Sequence, residues 1–238
     1  NLPGTDLWTP LIPTGRIAAN NLSELAIYLE KVKEYELAQD SNSVYNTASK
    51  DWQKHLIHFA GGGNANEQYI FQTYLNAMAD VAENDRFAGI TTRIVKQSAN
   101  PLTPAQMQAI SDRISDGVSV MNFFGHATSS QSGFDINIDN PDQWNNQGKY
   151  PLLIANSCYN GNIFYSSPTK SEEFVFTPNA GVIAYLGTLN YGFSGSLYDY
   201  SHQLYKQFGF HNYGGTIGQH IKNTIDSVMN ANQPLSTC

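Results

Sequence analysis

Apolar positions in this chain fall into two alternating patterns. Short runs of β-branched, aliphatic and aromatic residues are separated by longer stretches in which apolar residues return every three or four positions. The runs are Leu56-Ile57-His58-Phe59-Ala60, Ile90-Thr91-Thr92-Arg93-Ile94-Val95, Val118–Phe124, Leu152-Leu153-Ile154-Ala155 and Gly181–Gly187. Their length and composition predict strands, and their lack of polar alternation predicts burial on both faces. The first run ends in Gly61-Gly62-Gly63, which predicts a tight turn. Helical spacing carries Leu22, Leu25, Ala26, Leu29 and Val32 from a capping-box-like Asn21 and Glu24 to about Glu36. A second helix is predicted from about Glu67 to Glu83, with Ile70, Tyr74, Ala77 and Val81 on one face. Thr103-Pro104 with Gln106 starts a third, which Met107, Ile110 and Ile114 carry inward. A short helix is predicted over Ser171–Phe176, and longer ones over about 196–208 and 216–229. Residues 39–50 are polar and predict a loop, and residues 1–15, with Pro3, Pro10 and Pro13, predict an extended lead-in.

Strands that alternate with helices imply βαβ crossovers and a mainly parallel sheet covered on both faces, an α/β fold. No internal repeat or linker interrupts residues 16–230, so one domain is expected there, followed by a tail over 231–238.

Composition narrows the function classes. The 238 residues can bury a sizeable core. Charged residues make up 14% and the net charge is −7, so the basic stripe of a nucleic-acid surface is missing. No run reaches the roughly 18 apolar residues of a membrane span. The chain opens abruptly at Asn1-Leu2-Pro3, without a charged start and apolar core, and reads as a piece of a longer protein with further domains. Its two cysteines are Cys158 and Cys238. A bridge between them would consume Cys158 as a nucleophile, but the terminal position of Cys238 argues against a fixed bridge.

The candidate chemistry concentrates between Met121 and Gly161. One predicted strand breaks at Gly125 and presents His126; the next breaks at Asn156-Ser157 and presents Cys158. In an open α/β sheet that end is where ligands bind. A thiol becomes nucleophilic when a base favours its thiolate, and histidine is the side chain suited to that task near neutral pH. Spacing alone also admits a buried cysteine and a hydrogen-bonded loop histidine. Other constellations carry less. Gly61-Gly62-Gly63-Asn64 lacks the Lys-Ser/Thr of a phosphate loop. Asp135, Asp139 and Asp142 could hold a structural calcium, yet they lack EF-hand spacing and read more simply as a solvated loop. The spacing of His202, His211 and His220 matches no metal-ligand pattern, and they read as structural.

Asn122-Phe123-Phe124-Gly125-His126, with Ala155-Asn156-Ser157-Cys158-Tyr159-Asn160-Gly161 following so that Cys158 stands 32 positions after His126, resembles the catalytic region of gingipain-type cysteine peptidases of the caspase-fold clan. The likeness extends to Ile12-Pro13-Thr14-Gly15-Arg16-Ile17, to Gly181-Val182-Ile183-Ala184 and to Thr188-Leu189-Asn190, nearly the whole chain. It implies a caspase-like three-layer sandwich, a polypeptide substrate, no required cofactor and a secreted or cell-surface bacterial setting. It further implies His126 as general base, Cys158 as nucleophile, and an oxyanion hole from the backbone N–H groups of Cys158 and Ala127. Tyr191 and Phe193 fall where the family has an aromatic pocket wall, and Glu67 and Asp135 are the nearby acids for a specificity pocket. The resemblance covers processing transpeptidases of the type IX secretion pathway as well as hydrolases. Two positions depart from the pattern. Ala127 stands where the family usually has glycine, and His58–Gly63 contains no acid to orient the histidine. Both departures also fit a catalytically silent binding module.

Overall fold

Among the described residues, five strands, β1 His55–Ala60, β2 Ile90–Val95, β3 Val120–Phe124, β4 Leu152–Asn156 and β5 Ala184–Gly187, pair in parallel as one sheet in the order β2-β1-β3-β4-β5. The structure is a computed structural model and describes residues 10–39, 46–98, 100, 102–127, 133–138, 140–164 and 169–230. The helices are α1 Leu22–Gln39, α2 Thr47–Lys50, α3 Ala65–Ala82, α4 Pro104–Asp116, α5 Lys170–Phe176, α6 Ser194–Lys206 and α7 Ile217–Asn230.

The alternation of side chains along each strand sorts them between two cores. Ile57, Phe59, Met121, Phe123, Leu153 and Ala155 pack with Ile110 and Ile114 of α4 and Phe174 of α5. Leu56, Ala60, Val120, Phe124, Leu152 and Ile154 pack with Phe71, Leu75 and Met78 of α3 and Leu197, Leu204 and Tyr205 of α6, with Ile217 and Ile221 of α7 alongside. The three inner strands β1, β3 and β4 are therefore covered on both faces, which is why their runs are mostly apolar, whereas the edge strands β2 and β5 stay partly exposed.

Local chemistry sets most boundaries. Thr103 and Gln106 form the reciprocal capping box at the start of α4, with Pro104 in the first turn. The sequence expectation of a loop over 39–50 gives way at its end to α2, started by Asn46, whose side chain accepts a hydrogen bond from Ala48 N–H. The last strand is shorter than its apolar run. Gly181 takes a left-handed φ of 82° and Val182 N–H donates to Phe174 O (3.0 Å), so this stretch closes the end of α5 before β5 begins. Lys31 anchors α1 to that corner. It is buried, donates to the carbonyls of Val175 (2.9 Å) and Ala180 (2.7 Å), and lies 4.7 Å from the centre of the Tyr150 ring. Burial pulls its pKa down to about 7.

Candidate active site

The chain passes from β1 to β2 on one side and then crosses through α4 to β3 on the other. Open α/β sheets bind ligands outside the carboxyl ends of the strands at such a reversal, here between β1 and β3. The register brings three loops together there. Ala60 pairs with Phe124, and Phe124 with Asn156, so Gly61, Gly125 and Ser157 step off the sheet side by side. The ladder continues one rung further, through Gly61 N–H to Phe124 O (2.8 Å) and Gly125 N–H to Asn156 O (3.2 Å). His126 and Cys158 each stand two residues beyond a paired position on neighbouring strands.

His126 has an acid partner. Its Nε2 lies 3.0 Å from Glu67 Oε2, although the residues are 59 apart in sequence. Asn64 caps α3 by accepting from the N–H groups of Asn66 and Glu67, which sets Glu67 in the first turn. The same Oε2 accepts Gly63 N–H at 2.8 Å. These two donors, His126 first, hold the Glu67 carboxyl below its usual range, so it is ionised at neutral pH and can only accept. His126 Nε2 is therefore the donor of this bond, and in the neutral imidazole that leaves the lone pair on Nδ1. Phe71 of α3 meets the His126 ring edge-on, with centroids 6.0 Å apart. The expectation of a histidine without an acid is thus corrected. No acid lies in His58–Gly63, but one reaches back from the helix that follows. The carboxylate of Glu67, expected in a specificity pocket, is engaged by His126.

Cys158 is a free, half-buried thiol, and Gly192 N–H points at its sulfur from 3.4 Å. Cys238, and with it the alternative of a bridge, lies outside the described residues. The turn that carries Cys158 is pinned on both sides. Asn160 donates from its side chain to Ala155 O (3.0 Å) and to the Ser157 hydroxyl, and the Thr188 hydroxyl donates to Ser157 O. Tyr159 takes a left-handed φ of 55°, and its N–H donates to Asn190 O (2.9 Å). A side chain at Gly161 would stand 2.8 Å from the Gly187 backbone, so the turn closes on β5 through glycine. Strain beside a thiol at a sheet's carboxyl edge fits a functional turn. Tyr191 packs edge-on against Tyr159 (4.7 Å), and Tyr191 and Phe193 are 64% and 65% exposed, which leaves both free to meet a ligand. Ala127, after His126, forms an antiparallel bridge with Phe134. Asp142 is exposed on the turn Pro141–Gln143, and Asp139 lies outside the described residues. Among the described residues no three His, Cys, Asp or Glu side chains gather as a metal site.

Behind the site runs a polar chain that the apolar runs conceal. Ser201 Oγ donates to Asn156 Oδ1 (2.7 Å), Asn156 Nδ2 to Asn122 Oδ1 (2.9 Å), and Asn122 Nδ2 to Tyr205 Oη (3.1 Å). Tyr205 Oη in turn meets His58 Nε2 (2.7 Å), and His58 Nδ1 lies 3.0 Å from Leu75 O. All five side chains are buried, and each is satisfied by its neighbours. Burial drives the His58 pKa down to about 3. An unfolded histidine binds its proton below about 6.5, whereas His58 stays neutral in the fold. Its contribution to stability is complete above that pH and is lost as pH falls towards 3. We expect this group alone to cost about 2 kcal/mol between pH 7 and pH 5. Urea unfolding at the two pH values should show that loss, and His58→Gln should remove it. An unchanged pH slope in the variant would refute the assignment.

The fold defines a class, a caspase-like α/β domain. Residues 4–237 match peptidase family C25, and the chain belongs to that family. Three solved structures are similar over most of the chain. A crystal structure of the Arg-specific cysteine proteinase gingipain R superposes with a TM-score of 0.64 at 16% identity, covering 92% of this chain and 52% of that one. A complex of the Porphyromonas gingivalis RgpB pro- and mature domains gives 0.68 at 17%, covering 90% and 50%. A structure described as a protease gives 0.70 at 17%, covering 91% and 49%. At such identities the likeness establishes the fold. The chain spans about half the length of these relatives. No curated protein sequence matches it.

Proposed function

We propose that this chain carries the catalytic centre of a cysteine endopeptidase, with Cys158 as nucleophile, His126 as general base and Glu67 as the acid that orients the base. The observation that carries the reading is the Glu67–His126 hydrogen bond on the sheet edge where Cys158 also emerges. With its proton on Nε2, His126 offers Nδ1 to the thiol. The thiolate attacks the carbonyl carbon of the scissile peptide, and negative charge moves to the carbonyl oxygen, where the N–H groups of Cys158 and Ala127 are the donors to receive it. Collapse of that intermediate breaks the C–N bond as His126 protonates the leaving amine. Water, deprotonated by the same nitrogen, then hydrolyses the thioester. Membership of a peptidase family and the free thiol support this sequence. Family membership also supports a polypeptide substrate, and we extend the reading, through the gingipain relatives, to a secreted or surface-exposed bacterial setting. The Arg specificity of gingipain R does not transfer through Glu67 or Asp135. Glu67 is bound to His126, and Asp135 is taken up by Gly62 N–H and lies 3.8 Å from Lys96 Nζ. The aromatic pair Tyr191 and Phe193 stands beside the thiol's turn as the exposed wall for a substrate side chain.

A peptidyl acyloxymethyl ketone tests the reading directly, because an activated thiolate displaces its carboxylate and leaves a thioether. We expect a single adduct, located by peptide mass mapping at Cys158, that forms at least about 10-fold more slowly in His126→Ala. A folded protein that acquires no adduct at Cys158 would overturn it and favour a binding module.

A further inference from the structure

The second acid at this edge, Asp135, is built into the site's framework. Its Oδ2 accepts Gly62 N–H at 2.7 Å, and its own N–H donates to His126 O at 3.0 Å. Its Oδ1 occupies the space where side chains at two glycines would stand, 2.1 Å from a Cβ built on Gly61 and 2.7 Å from one built on Gly125. Any larger residue at either position would drive the carboxylate out. Lys96, its side chain only 8% exposed, places Nζ 3.8 Å from Oδ2 and so balances a charge that is itself mostly removed from solvent. Next along the same loop, Gly63 N–H is held by Glu67, and Glu67 holds His126. The links close on themselves. Asp135 grips Gly62, Gly63 grips Glu67, Glu67 grips His126, and the His126 carbonyl accepts from Asp135.

We propose that Asp135 is a positioning residue of the catalytic centre, which locks the Gly61–Gly63 loop against the His126 backbone and thereby fixes the Glu67–His126 pair. The proposal rests on the peptidase reading above. Asp135 touches no reacting group. Its Oδ2 is held by the Gly62 N–H beside Lys96, while its Oδ1 is buried against Gly61 and Gly125 without a hydrogen-bond partner among the described residues, so the carboxylate is packed into the loop it frames. Replacing it frees two loops to drift by a fraction of an ångström, and misplacement on that scale slows the chemical step more than it weakens substrate binding.

The test measures kcat and KM on the fastest-cleaved member of a fluorogenic peptide library. The proteins are the parent, Asp135→Ala, Asp135→Asn, Glu67→Gln, the Asp135→Ala/Glu67→Gln double variant and Cys158→Ala. We expect Asp135→Ala to lower kcat about 20-fold with KM within about twofold. Asp135→Asn, whose amide oxygen still accepts from Gly62, should return to within about threefold of the parent. The double variant should be no slower than the slower single by more than about twofold, because both act through one pair. A kcat for Asp135→Ala within twofold of the parent overturns the proposal, and so do losses that multiply in full in the double variant. Should Asp135→Ala not fold, Asp135→Ser, too short to reach Gly62, takes its place under the same criteria. Cys158→Ala separates the two readings. If it is inactive while Asp135→Ala is unimpaired, only the positioning role falls; if it keeps activity, the peptidase reading and the positioning role fall together.

Discussion

Cys158→Ala is expected to lower kcat for peptide hydrolysis by on the order of 100,000-fold, since residues of a nucleophile–base unit act as one and the loss of the nucleophile removes the acyl-enzyme route altogether. The fold should survive. The thiol is half-buried and its hydrogen bonds run to the Gly192 backbone, whereas the turn is held by Asn160, Thr188 and the Asn190 carbonyl. A surface-side substitution of this kind shifts unfolding free energy by about 0.5 kcal/mol or less. Steady-state assays on a fluorogenic peptide, paired with thermal unfolding, check both halves. Retention of more than a hundredth of the parent rate with an unchanged melting curve would remove Cys158 from the mechanism.

His126→Ala is expected to cost kcat about 1,000-fold, within the range a positioned general base contributes. The variant should recover part of its rate with added imidazole, a small diffusible base that fits the vacated space beside Phe71 and Glu67. Glu67 reports on the same contact from the other side. The hydrogen bond from His126 is the first cause of its lowered pKa, with Gly63 N–H second. Without His126 the carboxyl should titrate at higher pH, closer to an ordinary glutamate, in a carboxyl-resolved NMR titration. A Glu67 titration that does not move would mean that the pair seen here does not form in solution, and the role of Glu67 would be withdrawn.

Most of the sheet is legible in the sequence because its signals are local. The runs at Leu56, Ile90, Val118 and Leu152 became β1 to β4, and Thr103-Pro104 with Gln106 became the capped start of α4. The same local rule misjudged the last run. Gly181-Val182-Ile183 are apolar, yet the Phe174 carbonyl draws Val182 into the end of α5. Likewise the apolar character of the inner strands hid Asn122 and Asn156, whose amides are satisfied by each other and by Ser201 and Tyr205 of α6, which crosses behind them.

The site divides in the same way. His126 and Cys158 could be named from the strand breaks at Gly125 and Asn156-Ser157, since a strand's end is a property of a few consecutive residues. A sequence signal for Glu67 also existed, an acid three residues after the helix-capping Asn64, but it pointed to the helix's own N-terminus. Its pairing with His126 spans 59 residues, and that of Asp135 with Gly62 spans 73. The chain's pattern alone thus determined the parallel α/β architecture, most of its elements and two candidate residues at strand ends, because hydrophobic period and turn chemistry act over one or two turns of chain. Only the tertiary structure decided which acid meets the histidine and which meets the Gly61–Gly63 loop, because strand register and helix placement, not spacing, bring those distant groups within hydrogen-bond reach.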